Sequence, residues 1–131
     1  MARVLLIDDH PDLRDVMKEL LELHGHEVRF AGSGEEAVTT LERGECADVV
    51  IADQRLPGMS GIAFLQKIRK NILKRDLPVI LCSADATIRD EALEAGVDDF
   101  WVKGSDRLFE QIGSLQEKLE EIHGKLSDSQ N

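Results

Sequence analysis

Five short apolar runs recur along the chain, "RVLLID", "HEVRFA", "ADVVIAD", "LPVILCSAD" and "DDFWVKG", with helical patterns between them. The first helix is expected over 13–24. Leu13, Val16, Met17, Leu20 and Leu21 recur there at i, i+3, i+4, i+7 and i+8, which places them on one face. Gly25 stops it. "GSGEEAV" opens a second helix, with Ser33 placed to cap it and Glu35 and Glu36 beside the positive end of its dipole. A third helix is expected over roughly 62–73, a fourth over 88–95 ending at Gly96, and a fifth after Ser105.

Strict alternation of strand and helix implies parallel strands joined by right-handed crossovers. The first, third and fourth runs are nearly continuous in Val, Ile and Leu, as strands covered on both faces are. "EVRFA" instead alternates, with Arg29 between Val28 and Phe30, so the second strand belongs at an edge. Five strands with that edge suit a doubly wound, flavodoxin-like α/β sandwich of three layers, strand order 2-1-3-4-5.

With 131 residues and 42% apolar content, the chain is expected to form one domain with a working core. Sixteen basic against 26 acidic side chains give a net charge of −10, which disfavours direct contact with nucleic acid. The basic cluster Lys67, Arg69, Lys70, Lys74 and Arg75 reads as a solvated helix face. Cys46 and Cys82 follow no disulfide or metal-ligand pattern, and both are expected reduced. No apolar run approaches the ~20 residues that span a bilayer, and "MARVLLIDDH" does not read as a signal peptide. A soluble, cytoplasmic protein without a membrane partner is expected.

In a doubly wound sheet, ligands bind beyond the carboxyl ends of the strands, at the switch point between the first and third. The first strand ends in Asp8 and Asp9, the third in Asp53, the fourth in Ser83 and the fifth in Lys103. Three carboxylates crowded on one rim repel, and a cation relieves them. Mg²⁺ accepts such an oxygen cluster, and Lys103 adds a further positive charge. The pattern fits a small, anionic, oxygen-rich group such as phosphoryl. Capping of the first helix is the plainer role for Asp8 and Asp9, since "DDHPD" also reads as a helix start. His10 has no partner pattern, and His24, His26 and His123 read as surface; none is expected to bind metal.

Together "LLIDDH", "IADQRLPGMSG", "ILCSAD" and "DFWVKG" resemble the receiver domain of two-component response regulators, over about residues 2–123. The resemblance implies a phosphoryl acceptor at Asp53, fed by a sensor histidine kinase or a phosphotransfer protein. It implies Mg²⁺ (or Mn²⁺) on Asp8, Asp9, Asp53 and the main-chain carbonyl of Arg55. Ser83 matches the hydroxyl that holds phosphoryl oxygens, and Lys103 the lysine that pairs with them. Phe100 matches the aromatic that turns inward on activation, switching the face of helix 4, strand 5 and helix 5. Arg55 and Asp85 match positions that tune phosphate lifetime, and an Arg55–Asp85 pair is expected. Turnover is then limited to self-phosphorylation and slow autodephosphorylation, not enzymatic catalysis on other substrates.

Gly104 departs from the family, which usually carries proline after its lysine, often across a cis bond. That departure leaves open a receiver-like scaffold that signals without phosphate; a separate alternative is a phosphatase with an aspartate nucleophile and Mg²⁺. The phosphatase reading is the weaker, because such enzymes carry the nucleophile after the first strand in a DxD pattern and this chain has "DDH". A flavodoxin-like cofactor binder lacks its phosphate loop here. The receiver is expected over 1–123, with a tail, 124–131, extending helix 5 as a linker or coiled coil. Leu108, Ile112, Leu115, Leu119, Ile122 and Leu126 alternate steps of four and three, a heptad seam. Its first half should pack on the sheet, and the second half is a candidate dimer contact.

Overall fold

The computed structural model describes residues 1–71 and 74–130, with side chains through Gly124. Leu73, at the expected end of the third helix, lies outside the described residues, as do the side chain of Leu126 and all of Asn131. Strands β1 (Arg3–Ile7), β2 (Glu27–Ala31), β3 (Val49–Asp53), β4 (Val79–Ser83) and β5 (Asp99–Val102) alternate with helices. These are α1 (Pro11–Leu23), α2 (Gly34–Glu42), α3 (Gly61–Arg69), α4 (Arg89–Ala95), α5 (Arg107–Gly113) and α6 (Leu115–Gln130). A turn of 3₁₀ helix, Ala86–Ile88, leads into α4. The strands form one parallel sheet in the order β2-β1-β3-β4-β5. This is the expected flavodoxin-like sandwich, with β2 at an edge.

The period of two along each strand divides the apolar side chains between two cores. Leu5, Ile7, Val50, Ala52, Val79, Leu81 and Phe100 pack toward α2, α3 and α4. Val4, Leu6, Val49, Ile51, Ile80, Cys82 and Trp101 pack toward α1, α5 and α6. Local signals fix the helix starts. Ser33 Oγ accepts from Glu36 N–H at 3.1 Å, and Ser60 Oγ accepts from Ala63 N–H at 3.0 Å. The Trp101 indole N–H is met within its own strand, donating to Asp99 Oδ2 at 2.9 Å.

Four expectations change. Val16 is 48% exposed, although Met17 and Leu21 on the same helix are buried: its position at the rim of the apolar stripe carries it past the sheet. The fifth helix is broken at Ser114, where Gly113 and Ser114 combine two weak helix formers. Gly113 also lies close under His24, whose ring a Cβ there would meet at 3.4 Å. The heptad seam remains in register across the break, but Leu115, Leu119 and Ile122 are all buried in the chain's own core. The second half of the seam is thus consumed within the fold through Ile122. Arg69, assigned to a solvated face, instead donates to the Leu77 carbonyl at 2.5 Å and to Asp98 Oδ2 at 3.0 Å, tying α3 to the starts of β4 and β5.

His26 is the fourth. It is 6% exposed, and its Nδ1 accepts from Ala2 N–H at 3.0 Å. Burial, then the N-terminal ammonium and His24, lower its pKa from 6.5, because the imidazolium would lose both water and that hydrogen bond. The unfolded chain therefore binds the extra proton first. His26's contribution is fully present above about pH 6.5 and falls as pH drops toward the folded-state value. Urea unfolding between pH 7 and pH 5 should show stability falling by at most about 1.4 kcal/mol per pH unit from this group. His26→Gln, which keeps an acceptor for Ala2, should flatten that slope.

Candidate functional site

Parallel pairing sends every strand's carboxyl end to one edge, and the register aligns Asp53 with Cys82 and Ser83 with Val102. Asp8 follows β1 directly, Asp53 ends β3, Ser83 ends β4, and Lys103 follows β5. Lys103 N–H donates to the Ser83 carbonyl at 2.9 Å, which carries the pairing of β4 and β5 one residue further. Gly61 lets α3 start against Asp53: a Cβ there would stand 2.6 Å from the Asp53 carbonyl oxygen and collide with Leu81.

Asp8, Asp53 and Ser83 are at most 5% exposed, beside an open depression of about 740 Å³ lined by His10, Asp53, Arg55, Ser83, Asp85 and Lys103. Lys103 Nζ donates to Asp53 Oδ2 at 2.7 Å and to Asp8 Oδ2 at 3.4 Å. Burial alone would lower the lysine's pKa. The Asp53 hydrogen bond and the charges of Asp53 and Asp8 outweigh it, and the net direction is up. The neighbouring Cys82 thiol is pushed up to about 12, chiefly by burial, and stays a thiol. Asp53 Oδ1 accepts from Arg55 N–H at 3.2 Å, and Ser83 Oγ accepts from Asp85 N–H at 3.0 Å.

Neither Asp8 nor Asp9 caps α1. The N-cap is His10, without a side-chain cap bond, and Pro11 follows it. Asp8 Oδ1 instead accepts from His10 N–H at 2.8 Å, leaving the acids turned to the rim. Ligating atoms of Asp8, Asp9, His10 and Asp53 lie within 4.8 Å of one another. Three carboxylates against one ammonium, with open space beside them, form a donor set that suits a hard divalent cation.

The sequence profile of the response regulator receiver domain matches residues 4–112. The chain belongs to this family. As a receiver it is a domain of two-component signal transduction, and its solved neighbours share its fold. The Thermotoga maritima response regulator TrrA, solved in complex with Mg²⁺-BeF, is 34% identical; the match covers 93% of this chain and 99% of that one at a TM-score of 0.75. A CheY-like receiver from Methanospirillum hungatei is 28% identical, covering 95% and 98% at a TM-score of 0.81. In sequence, the chemotaxis protein CheY-3 of Vibrio cholerae is 33% identical over 127 residues, 95% of this chain and 93% of that protein. The transcriptional regulatory protein DctD of Rhizobium meliloti is 40% identical over 119 residues, 88% of this chain. The receiver spans only a quarter of DctD's length. No helix among the described residues is long and apolar enough to cross a membrane.

Against the receiver pattern, three details of this chain stand out. The peptide bonds are trans among the described residues, and Gly104 adopts φ +76°, a left-handed turn that glycine accepts and proline cannot. With Gly104 in that turn, Lys103 Nζ lies 2.7 Å from Asp53 Oδ2. Phe100, the position the resemblance makes the switch aromatic, is 1% exposed and packed in the core. The expected Arg55–Asp85 ion pair is not formed. Asp85 is taken by Thr87, accepting from its N–H at 2.9 Å and its hydroxyl at 2.5 Å, and these bonds lower its pKa ahead of any effect of Arg55. Asp85 is the N-cap of the 3₁₀ turn, a local demand that wins over a longer-range pair.

His10 was missed. Its Nδ1 lies 3.1 Å from Asp9 Oδ1, 3.4 Å from Asp8 Oδ1 and 4.0 Å from Asp53 Oδ2. Its position directly after two rim acids was the available signal. Removing the lysine tests how the cluster is balanced. Lys103→Met should destabilise the receiver by about 2–4 kcal/mol in chemical denaturation, because Asp8 and Asp53 remain buried without their cation.

Proposed function

We propose that this receiver accepts a phosphoryl group on Asp53 from a phosphohistidine of a sensor kinase or phosphotransfer protein. The observation that carries the reading is the bridge from Lys103 to both Asp53 and Asp8, at 2.7 and 3.4 Å, beside an open depression. An Asp53 carboxylate oxygen attacks phosphorus in line; the new O–P bond forms as the N–P bond to the donor imidazole breaks. Lys103 Nζ turns from Asp53 Oδ2 to a phosphoryl oxygen, and the Ser83 hydroxyl donates to another. Asp8, Asp9, Asp53 and the Arg55 carbonyl would hold Mg²⁺ (or Mn²⁺), which neutralises charge on the transferring oxygens. Turnover beyond this is slow autodephosphorylation.

The product adds about −1.5 to −2 charge beside Ser83. Ser83 Oγ is held by Asp85 N–H, so a hydroxyl drawn to the phosphoryl pulls on the loop into α4. Through that loop, the β4–β5 register and Phe100 on β5, the change reaches the α4–β5–α5 face. Leu93 on α4 and Phe109 on α5 are 40% and 62% exposed, apolar ground on which a partner could read it. Lys103 within 2.7 Å of Asp53 supports the acceptor reading over the phosphate-independent scaffold. The phosphatase reading places its nucleophile on the wrong strand.

Beryllofluoride, which stands in for the bound phosphoryl group, tests the acceptor. Calorimetry with Mg²⁺ should give saturable one-to-one binding, lost in Asp53→Asn. Retained binding in that variant, or none in the wild type, would sink the assignment. A second expectation concerns phosphate lifetime. Arg55 and Asp85 line the same depression without pairing. Alanine at each should change the autodephosphorylation rate, and the two effects should multiply to within about twofold.

A further inference from the structure

His10 stands among the acids of the rim. Its ring makes no cap bond to α1, and its side chain is 67% exposed, so nothing packs it into place. Yet Nδ1 turns back onto the acids. A cation in octahedral coordination holds its ligands at about 2.1 Å, which puts adjacent donors about 3.0 Å apart and opposite ones about 4.2 Å apart. The separations from Nδ1 to Asp9 Oδ1, Asp8 Oδ1 and Asp53 Oδ2 are 3.1, 3.4 and 4.0 Å. The first two approximate octahedral edges and the third an octahedral diagonal.

We propose that His10 Nδ1 is a nitrogen ligand of the cation held by this rim, turning the site from Mg²⁺ toward Mn²⁺, Co²⁺ and similar first-row ions. The inference rests on the cation site described above and adds to it one donor of a different kind. Mg²⁺ is served by oxygen and dehydrates reluctantly, so an imidazole contributes little to holding it. Later divalent ions take imidazole readily, with affinity rising along the first row. Pro11 fixes the backbone directly after His10, so the ring is presented from a stiff corner. The imidazole would replace one bound water, and with Asp8, Asp9, Asp53 and the Arg55 carbonyl it would leave one of six positions for a phosphoryl oxygen.

Calorimetry with Co²⁺ and with Mg²⁺ on the wild type, His10→Gln and Asp53→Asn tests the assignment, with pulsed electron paramagnetic resonance of bound Mn²⁺ as a second readout. The wild type should prefer Co²⁺, and in His10→Gln the Co²⁺-to-Mg²⁺ affinity ratio should fall about tenfold. The Mn²⁺ spectrum should carry nitrogen modulation that vanishes in the variant. If the ratio and the spectrum are the same in both proteins, the imidazole is no ligand and the proposal fails while the oxygen site stands. If the wild type binds neither ion, or Asp53→Asn binds both as well as the wild type, the cation site itself is wrong and the proposal falls with it.

Discussion

Two buried carboxylates, Asp8 and Asp53, share the ammonium of Lys103 at the edge of an apolar sheet. Burial of like charges costs several kcal/mol per ion where no partner is present, so this contact constrains everything around it. Its length is set far from the charges themselves. The β4–β5 register, extended by Lys103 N–H on the Ser83 carbonyl, fixes where the lysine leaves the strand, and the left-handed Gly104 turns the chain away beyond it. The start of α3 at Gly61 packs against the Asp53 carbonyl, which holds the acid at its depth. A site this crowded is stable because both faces of the sheet beneath it are fully packed. The opposite pole is tied by Arg69, Asp98 and Leu77, where charge is matched.

Much of this is legible in the sequence. Parallel strands covered on both faces announce themselves as unbroken Val, Ile and Leu, and β2 as an edge by its alternation. Once the strand order follows, the polar residue closing each strand falls on a common rim, and Asp8, Asp9, Asp53, Ser83 and Lys103 need no further information. What stayed hidden depends on contacts between distant segments. His26 reads as surface because nothing local says that Ala2 N–H will need an acceptor. Arg69 reads as one of five cations, and only the meeting of α3 with β4 and β5 singles it out. Asp85 was assigned a partner across the site, but its own next turn, at Thr87, claimed it first.

The seam from Leu108 to Ile122 carries a related lesson about spacing. Steps of four and three describe any helix with one buried stripe, whether the surface it meets is a second helix or a sheet. Here α5 and α6 wrap the same core that α1 covers, and the break at Ser114 lets the stripe follow the twisted sheet. A coiled coil would have demanded a straight continuation through Gly113. The sheet accepts a bend.

The bond from the Trp101 indole to Asp99, two residues earlier on the same strand, has an optical consequence. The chromophore is dry, fixed within β5, and turned to the α1, α5 and α6 layer, away from Phe100 on the adjacent face. Its emission should therefore report the opening of that layer. A single built-in fluorophore of this kind is a gauge of whether the molecule is folded, and a dye attached at the exposed Cys46, with Cys82 buried and inert, could supply an independent second colour.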